Sequence, residues 1–133
     1  MLFRSCEQGP QPIRLGQQEC AHCKMTIIDP HFGGEIITKK GKLLYFDDIG
    51  CILSYLQSEQ LKKDQLKDVY LVDYSQSGHF VKVEEGFLLK SASLHSPMGS
   101  NLVAFQSRDS QQYYREPLAA IEVDWSALLH IKP

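Results

Sequence analysis

The sequence predicts an α+β fold of two small ββαβ-like lobes with mainly antiparallel sheets, packed together after a flexible N-terminal leader. Three observations predict it. Short β-branched runs are separated by Gly, Pro and Asp turn signals. One amphipathic stretch carries apolar residues at helical spacing. The pattern strand, strand, helix, strand is written twice along 133 residues. The halves, 20–76 and 77–133, are each marginal for an independent core, so they are expected to pack on one another.

The elements follow in order. Residues 1–19 form a leader rich in Pro, Gly and Gln, which reads as a loose tether, with ordered structure starting near Cys20. Met25–Ile28 is a short β-branched run that Asp29-Pro30 ends. Gly34–Thr38 and Lys42–Phe46 read as two strands of a hairpin joined at Lys39-Lys40-Gly41. Asp47-Asp48 marks a helix start, as a cap and as negative charge at the positive end of the macrodipole. In that helix Ile49, Ile52, Leu53, Leu56 and Leu61 share a face. Val69–Tyr74 closes the unit. In the second half, Phe80–Val83 and Gly86–Leu89 read as a hairpin or neighbouring strands. A loop at 91–99, a strand at Leu102–Phe105, a polar helix at Ser107–Tyr114 and an alternating run at Ile121–Trp125 complete it.

Composition narrows the function. With 43% hydrophobic and 23% charged residues, disorder is not indicated. A net charge of −2 and the lack of basic blocks interleaved with aromatics argue against a nucleic-acid partner. No apolar run approaches the ~18 residues of a membrane span. At the start, Met-Leu-Phe-Arg-Ser-Cys6 looks like the end of a lipoprotein signal, although no apolar stretch of about 7–15 residues precedes it. Lipidation of Cys6 and an incidental tail cysteine both stand as readings.

The chemistry concentrates in Cys20-Ala-His-Cys-Lys-Met25, two thiols, a thioether and an imidazole within six residues. Cysteine and methionine are soft donors of the type that selects Cu(I). The other internal methionine, Met98, stands in His95-Ser-Pro-Met-Gly99. Cys20, Cys23, Met25 and Met98 are therefore the candidate metal ligands, and a Cu(I) carrier is the leading reading. Zinc is a competitor, but there is no second C-x-x-C, and His22 and Cys51 would complete four ligands only irregularly. Thiol–disulfide exchange by the Cys20/Cys23 dithiol is another. Such dithiols open a helix after a core strand, and here Gln17-Gln18-Glu19 precedes and a β-branched run follows. Haem attachment is excluded because Lys24, not histidine, follows the second cysteine. Taken singly, Met25 and Met98 could be core filler. Cys51 reads as a small buried thiol of the helix, and Asp47 and Asp48 as a cap. His31, His79 and His130 stand alone; the roles of His22, His95 and Cys51 as ligands stay open.

The residues from Cys20 to Asp29 resemble the NosL family, the nitrous oxide reductase accessory proteins. The likeness continues through Gly41-Lys42 and Tyr45-Phe46-Asp47-Asp48-Ile49-Gly50-Cys51, and resumes at Ser96-Pro-Met-Gly99 and Leu102–Phe105. The resemblance implies a copper chaperone, not an enzyme, delivering Cu(I) for assembly of the copper centres of nitrous oxide reductase. Its partners would be the reductase apoprotein and its copper-maturation machinery. It implies Cys20, Cys23 and Met25 as donors, with Met98 as a further one. It also implies a lipoprotein of the periplasm or cell envelope, anchored through Cys6, and a fold of two ββαβ units. A general thiol-based metal sensor or storage protein on the same fold is the alternative.

Overall fold

The computed structural model describes residues 9–131. Cys6, the candidate for lipidation, lies outside them.

The first sheet has four antiparallel strands, β1 (Gly34–Thr38), β2 (Leu43–Phe46), β3 (Leu66–Val72) and β4 (Phe80–Lys82), in the order β2-β1-β3-β4. Helix α1 (Ile49–Gln57) and a 3₁₀ turn (Lys63–Gln65) connect β2 to β3. The second sheet has β5 (Phe87–Lys90), β6 (Leu102–Phe105) and β7 (Ile121–Val123), in the order β6-β5-β7. Helix α2 (Arg108–Arg115) joins β6 to β7, and α3 (Trp125–Leu129) follows. In both units the first strand sits between the second and the third. The two ββαβ patterns expected from sequence are thus present with matching topology.

Helix α1 starts where the acidic pair predicts. The Asp48 carboxylate accepts the Gly50 N–H at 2.8 Å as N-cap. Ile49, Ile52 and Leu53 are buried, and the helix packs closely because β1 opens with Gly34. A Cβ there would stand 2.9 Å from Ile52 Cδ1 and 2.2 Å from the Tyr70 carbonyl oxygen. The halves share one core: Leu88, Leu102 and Ala104 cluster with Ile36, Phe46, Ile52 and Leu71. The seam is also polar. Tyr74 N–H donates to the Ala104 carbonyl at 2.8 Å, and Gln106 N–H donates to the fully buried Asp73 carboxylate at 3.0 Å.

Two local expectations change. Phe80–Lys82 does not pair with the next strand but joins the first sheet, with Val81 opposite Leu71. The reason is the turn at Asp73, whose carboxylate accepts the Ser75 N–H at 2.8 Å while its own N–H donates to the His79 carbonyl, folding β4 back on β3. The stretch before Cys20 is not loose over its described part. Gln11 N–H donates to Glu35 Oε1 at 3.0 Å, Ile13 packs on the core, and Gly16 N–H donates to the Ile27 carbonyl at 2.8 Å. Alternation along β1 puts Glu35 and Ile37 on the face away from α1. That face needs a cover, and the leader supplies it.

Candidate metal centre

The Met25–Ile28 run forms no strand; it is half of a small knuckle. Ile27 N–H donates to the Gln18 carbonyl at 2.8 Å, Glu19 bridges Thr26, and Cys20 N–H donates to the Met25 carbonyl at 2.9 Å. At the tip Lys24 takes a left-handed φ of 69°, and its N–H donates back to the Cys20 carbonyl. The turn brings both thiols to one side, and Cys23 N–H donates to Cys20 Sγ at 3.4 Å. Ala21 N–H donates to the Tyr45 carbonyl at 2.7 Å, docking the knuckle on the end of β2.

That contact sets the knuckle beside the corner between β2 and α1. Asp47 directly follows β2, and Cys51 lies in the first turn of α1, four residues on. Cys20, Cys23, Asp47 and Cys51 each offer a donor atom, and all four atoms lie within 4.8 Å of one another. The Cys23 thiol donates to Asp47 Oδ1 at 3.5 Å, and the Cys51 thiol donates to the same oxygen at 3.6 Å. Cys20 and Cys51 are buried, Cys23 is half-buried, and all three are free thiols.

The donors polarise one another. The Cys51 thiol, its one proton shared between Asp47 and Cys20, outweighs burial with the help of backbone N–H groups, bringing the Cys20 pKa down to about 4. Cys20 is therefore a thiolate at neutral pH. Burial raises Cys23 to about 11, helped by the neighbouring Cys20 charge. Cys51 is pushed upward by holding its proton against Cys20 and by burial. Asp47 is raised by burial and by the Cys20 charge. The three sulfurs rest as one anion, Cys20, beside two thiols, Cys23 and Cys51, that hold their protons.

Of the four ligand candidates from sequence, Cys20 and Cys23 are together in this cluster. Met25 and Met98 are 59% and 52% exposed. Both are nevertheless tied to the cluster through the backbone: the Met25 carbonyl holds the Cys20 N–H, and Met98 N–H donates to Asp48 Oδ2 at 2.8 Å, one residue from Asp47. His95 is exposed, and His22 is half-buried with Nδ1 unpartnered among the described residues. The sequence reading favoured a core thiol for Cys51, leaving its ligand role open, and a cap for Asp47. Cys51 is buried as expected, but towards Cys20, and Asp48 alone caps α1. The available signal was the i, i+4 spacing of Asp47 and Cys51 together with the offset of Cys51 from the apolar stripe.

Residues 12–117 match the NosL family. The chain belongs to the NosL family. Its fold is that of the crystal structure of the copper chaperone NosL from Shewanella denitrificans, with a TM-score of 0.76 and 23% identity over 92% of this chain and 96% of that one. No curated protein matches the chain. The NosL match spans both the knuckle and the loop of Met98 and begins inside the leader, so the cluster lies within the shared family region.

Proposed function

We propose that this NosL-family chain is a carrier of Cu(I), not a catalyst, with the ion as cargo. The observation that carries the reading is the convergence of three thiols and one carboxylate within 4.8 Å. Sulfur donors select the softer ion. The Cys20 thiolate offers the first bond, and Cys23 and Cys51 give up protons as they become donors, so uptake is coupled to proton release. The exposed thioethers of Met25 and Met98 are further soft donors, and their lower charge suits exchange with a recipient better than another buried thiolate would. Following the family likeness, the recipient is nitrous oxide reductase apoprotein with its maturation machinery, and the carrier works on the periplasmic side, anchored through Cys6.

Asp47 favours one second reading. A carboxylate with three thiolates also suits tetrahedral zinc. An anaerobic titration against a Cu(I)-specific chelator, run beside a zinc titration, decides between them. One Cu(I) per chain, weakened tenfold or more by Cys20→Ser or Cys23→Ser, is expected. Stoichiometric zinc binding without competition for copper would sink the carrier reading, and reduction of a disulfide substrate by the Cys20/Cys23 pair would return the chain to the oxidoreductases.

A further inference from the structure

The end of the first sheet away from the cluster is basic. Lys39, Lys40 and Lys42 sit on the β1–β2 turn, Lys62 and Lys63 at the 3₁₀ turn, and Lys67 at the start of β3; all six are exposed. They are six of the 14 basic residues in a chain whose net charge is −2. The two segments are held side by side, since Lys39 N–H donates to the Gln65 carbonyl at 2.8 Å. Among the described residues none of the six lysines is in an ion pair. Between them lies a cavity of about 320 Å³, with Leu61 and the stems of Lys39, Lys40 and Lys42 on its walls and Asp64 as its acidic member.

We propose that this lysine end is a docking surface for an anionic lipid bilayer. The donor chemistry chooses the partner. A fixed set of carboxylates or phosphates is best held by the planar fork of arginine, and there is none here; an ammonium is a mobile point charge on a flexible stem. Six of them at one end of the sheet suit a fluid layer of anionic headgroups, which asks for charge and not for register. Lysine stems can lie along Leu61 while their ammonium groups reach outward. The orientation follows from the β1–β2 register. Gly34 pairs with Phe46, next to Asp47, while Ile37 pairs with Leu43, next to the lysine turn. A chain seated on its lysines therefore turns Cys20, Cys23 and Cys51 away from the bilayer.

The test uses the metal-free protein, so its outcome is independent of the copper reading. Sedimentation with vesicles of phosphatidylcholine containing phosphatidylglycerol is compared with pure phosphatidylcholine vesicles. Binding is expected to the anionic vesicles only, and to fall as salt rises from 0.05 to 0.5 M and the screening length shortens. Each lysine near such a surface contributes about fivefold, so K39Q/K40Q/K42Q should weaken binding by roughly a hundredfold. K62Q/K63Q, on a separate segment, should weaken it by roughly twenty-five-fold and covers the case in which the turn variant fails to fold. K90Q/R108Q, with exposed charges on the second unit, should bind like wild type. Equal binding to both vesicles, binding to neither, or no loss in either lysine variant overturns the proposal; retention on an acidic polypeptide alone would assign the surface to a protein instead.

Discussion

The carboxylate of Asp48 joins Met98 to the start of α1: Met98 N–H donates to Asp48 Oδ2 at 2.8 Å across fifty residues of chain. The same side chain accepts the Gly50 N–H and the Ser100 hydroxyl, and it is fully buried. One residue earlier, Asp47 turns to the three cysteines. Consecutive carboxylates thus serve the thiol cluster and the methionine loop from one corner of the fold.

Removing that fastening should be costly. Asp48→Ala loses a helix cap and leaves the Met98 N–H and the Ser100 hydroxyl without their acceptor, for a loss of about 2–4 kcal/mol in urea unfolding. Met98→Leu changes shape little and should be nearly neutral for stability. If the thioether holds cargo, Met98→Leu nonetheless lowers Cu(I) affinity, by less than Cys20→Ser does. An affinity equal to wild type would remove Met98 from the site.

At Cys51 a structural role and a ligand role separate cleanly. Cys51→Ala should cost about 1 kcal/mol of stability as a small buried group is lost. It should also lower Cu(I) affinity at least tenfold and raise the Cys20 pKa from about 4, because the main hydrogen bond to that thiolate is gone. The ultraviolet absorbance of the thiolate against pH reads this directly. In wild type it should be flat from pH 6 to 8; in the variant it should fall as pH decreases.

Glu35 supplies the pH dependence of folding. It is fully buried on β1, with Oε1 accepting only from Gln11 N–H and Oε2 unpartnered among the described residues. Burial pushes its pKa from 4.5 up to about 7. Below pH 4.5 both folded and unfolded chains hold the proton, so there is no penalty. Between 4.5 and 7 the unfolded chain ionises first, and stability falls as pH rises, by about 3 kcal/mol at the upper end. Glu35→Gln should remove that slope and be the more stable form at pH 8. A wild-type curve that rises across this window would contradict the assignment.

A tighter backbone approach offers a further check. A Cβ on Gly33 would stand 1.9 Å from the Phe46 carbonyl oxygen and 3.2 Å from the Asp47 carbonyl carbon. Gly33→Ala must displace the strand end that presents Asp47. It should cost more than 2 kcal/mol and weaken metal binding, read by thermal melting and chelator competition.

Much of the fold was legible because its signals are local. The Asp48 cap, the α1 stripe and the hairpin turn at Lys39-Lys40-Gly41 between β1 and β2 are written in neighbouring residues. The pairing of β4 with β3 was not, since Phe80–Lys82 states a strand without naming its partner. The leader reads as polar by composition, yet Ile13 packs on the core and the Gln11 N–H finds an acceptor in Glu35. At the site, Cys20 and Cys23 were visible as a motif. Cys51 and Asp47 were hidden because one thiol on a helix and one acid before it look like packing and capping until the knuckle docks at Tyr45.

That docking has a thermodynamic consequence. The donors come from two stretches, the knuckle at 20–23 and the corner at 47–51, held together in the metal-free chain by core packing and by hydrogen bonds such as Ala21 to Tyr45. An ion bound by both stretches closes the intervening loop as a staple would, and any ligand that binds only the folded form adds stability in proportion to the logarithm of its occupancy ratio. The loaded chain and the emptied one differ, then, in how readily the N-terminal segment peels from the sheet. A recipient that grips this segment would hold the emptied carrier more easily than the full one, and giving up the ion would loosen the clasp that kept it in place.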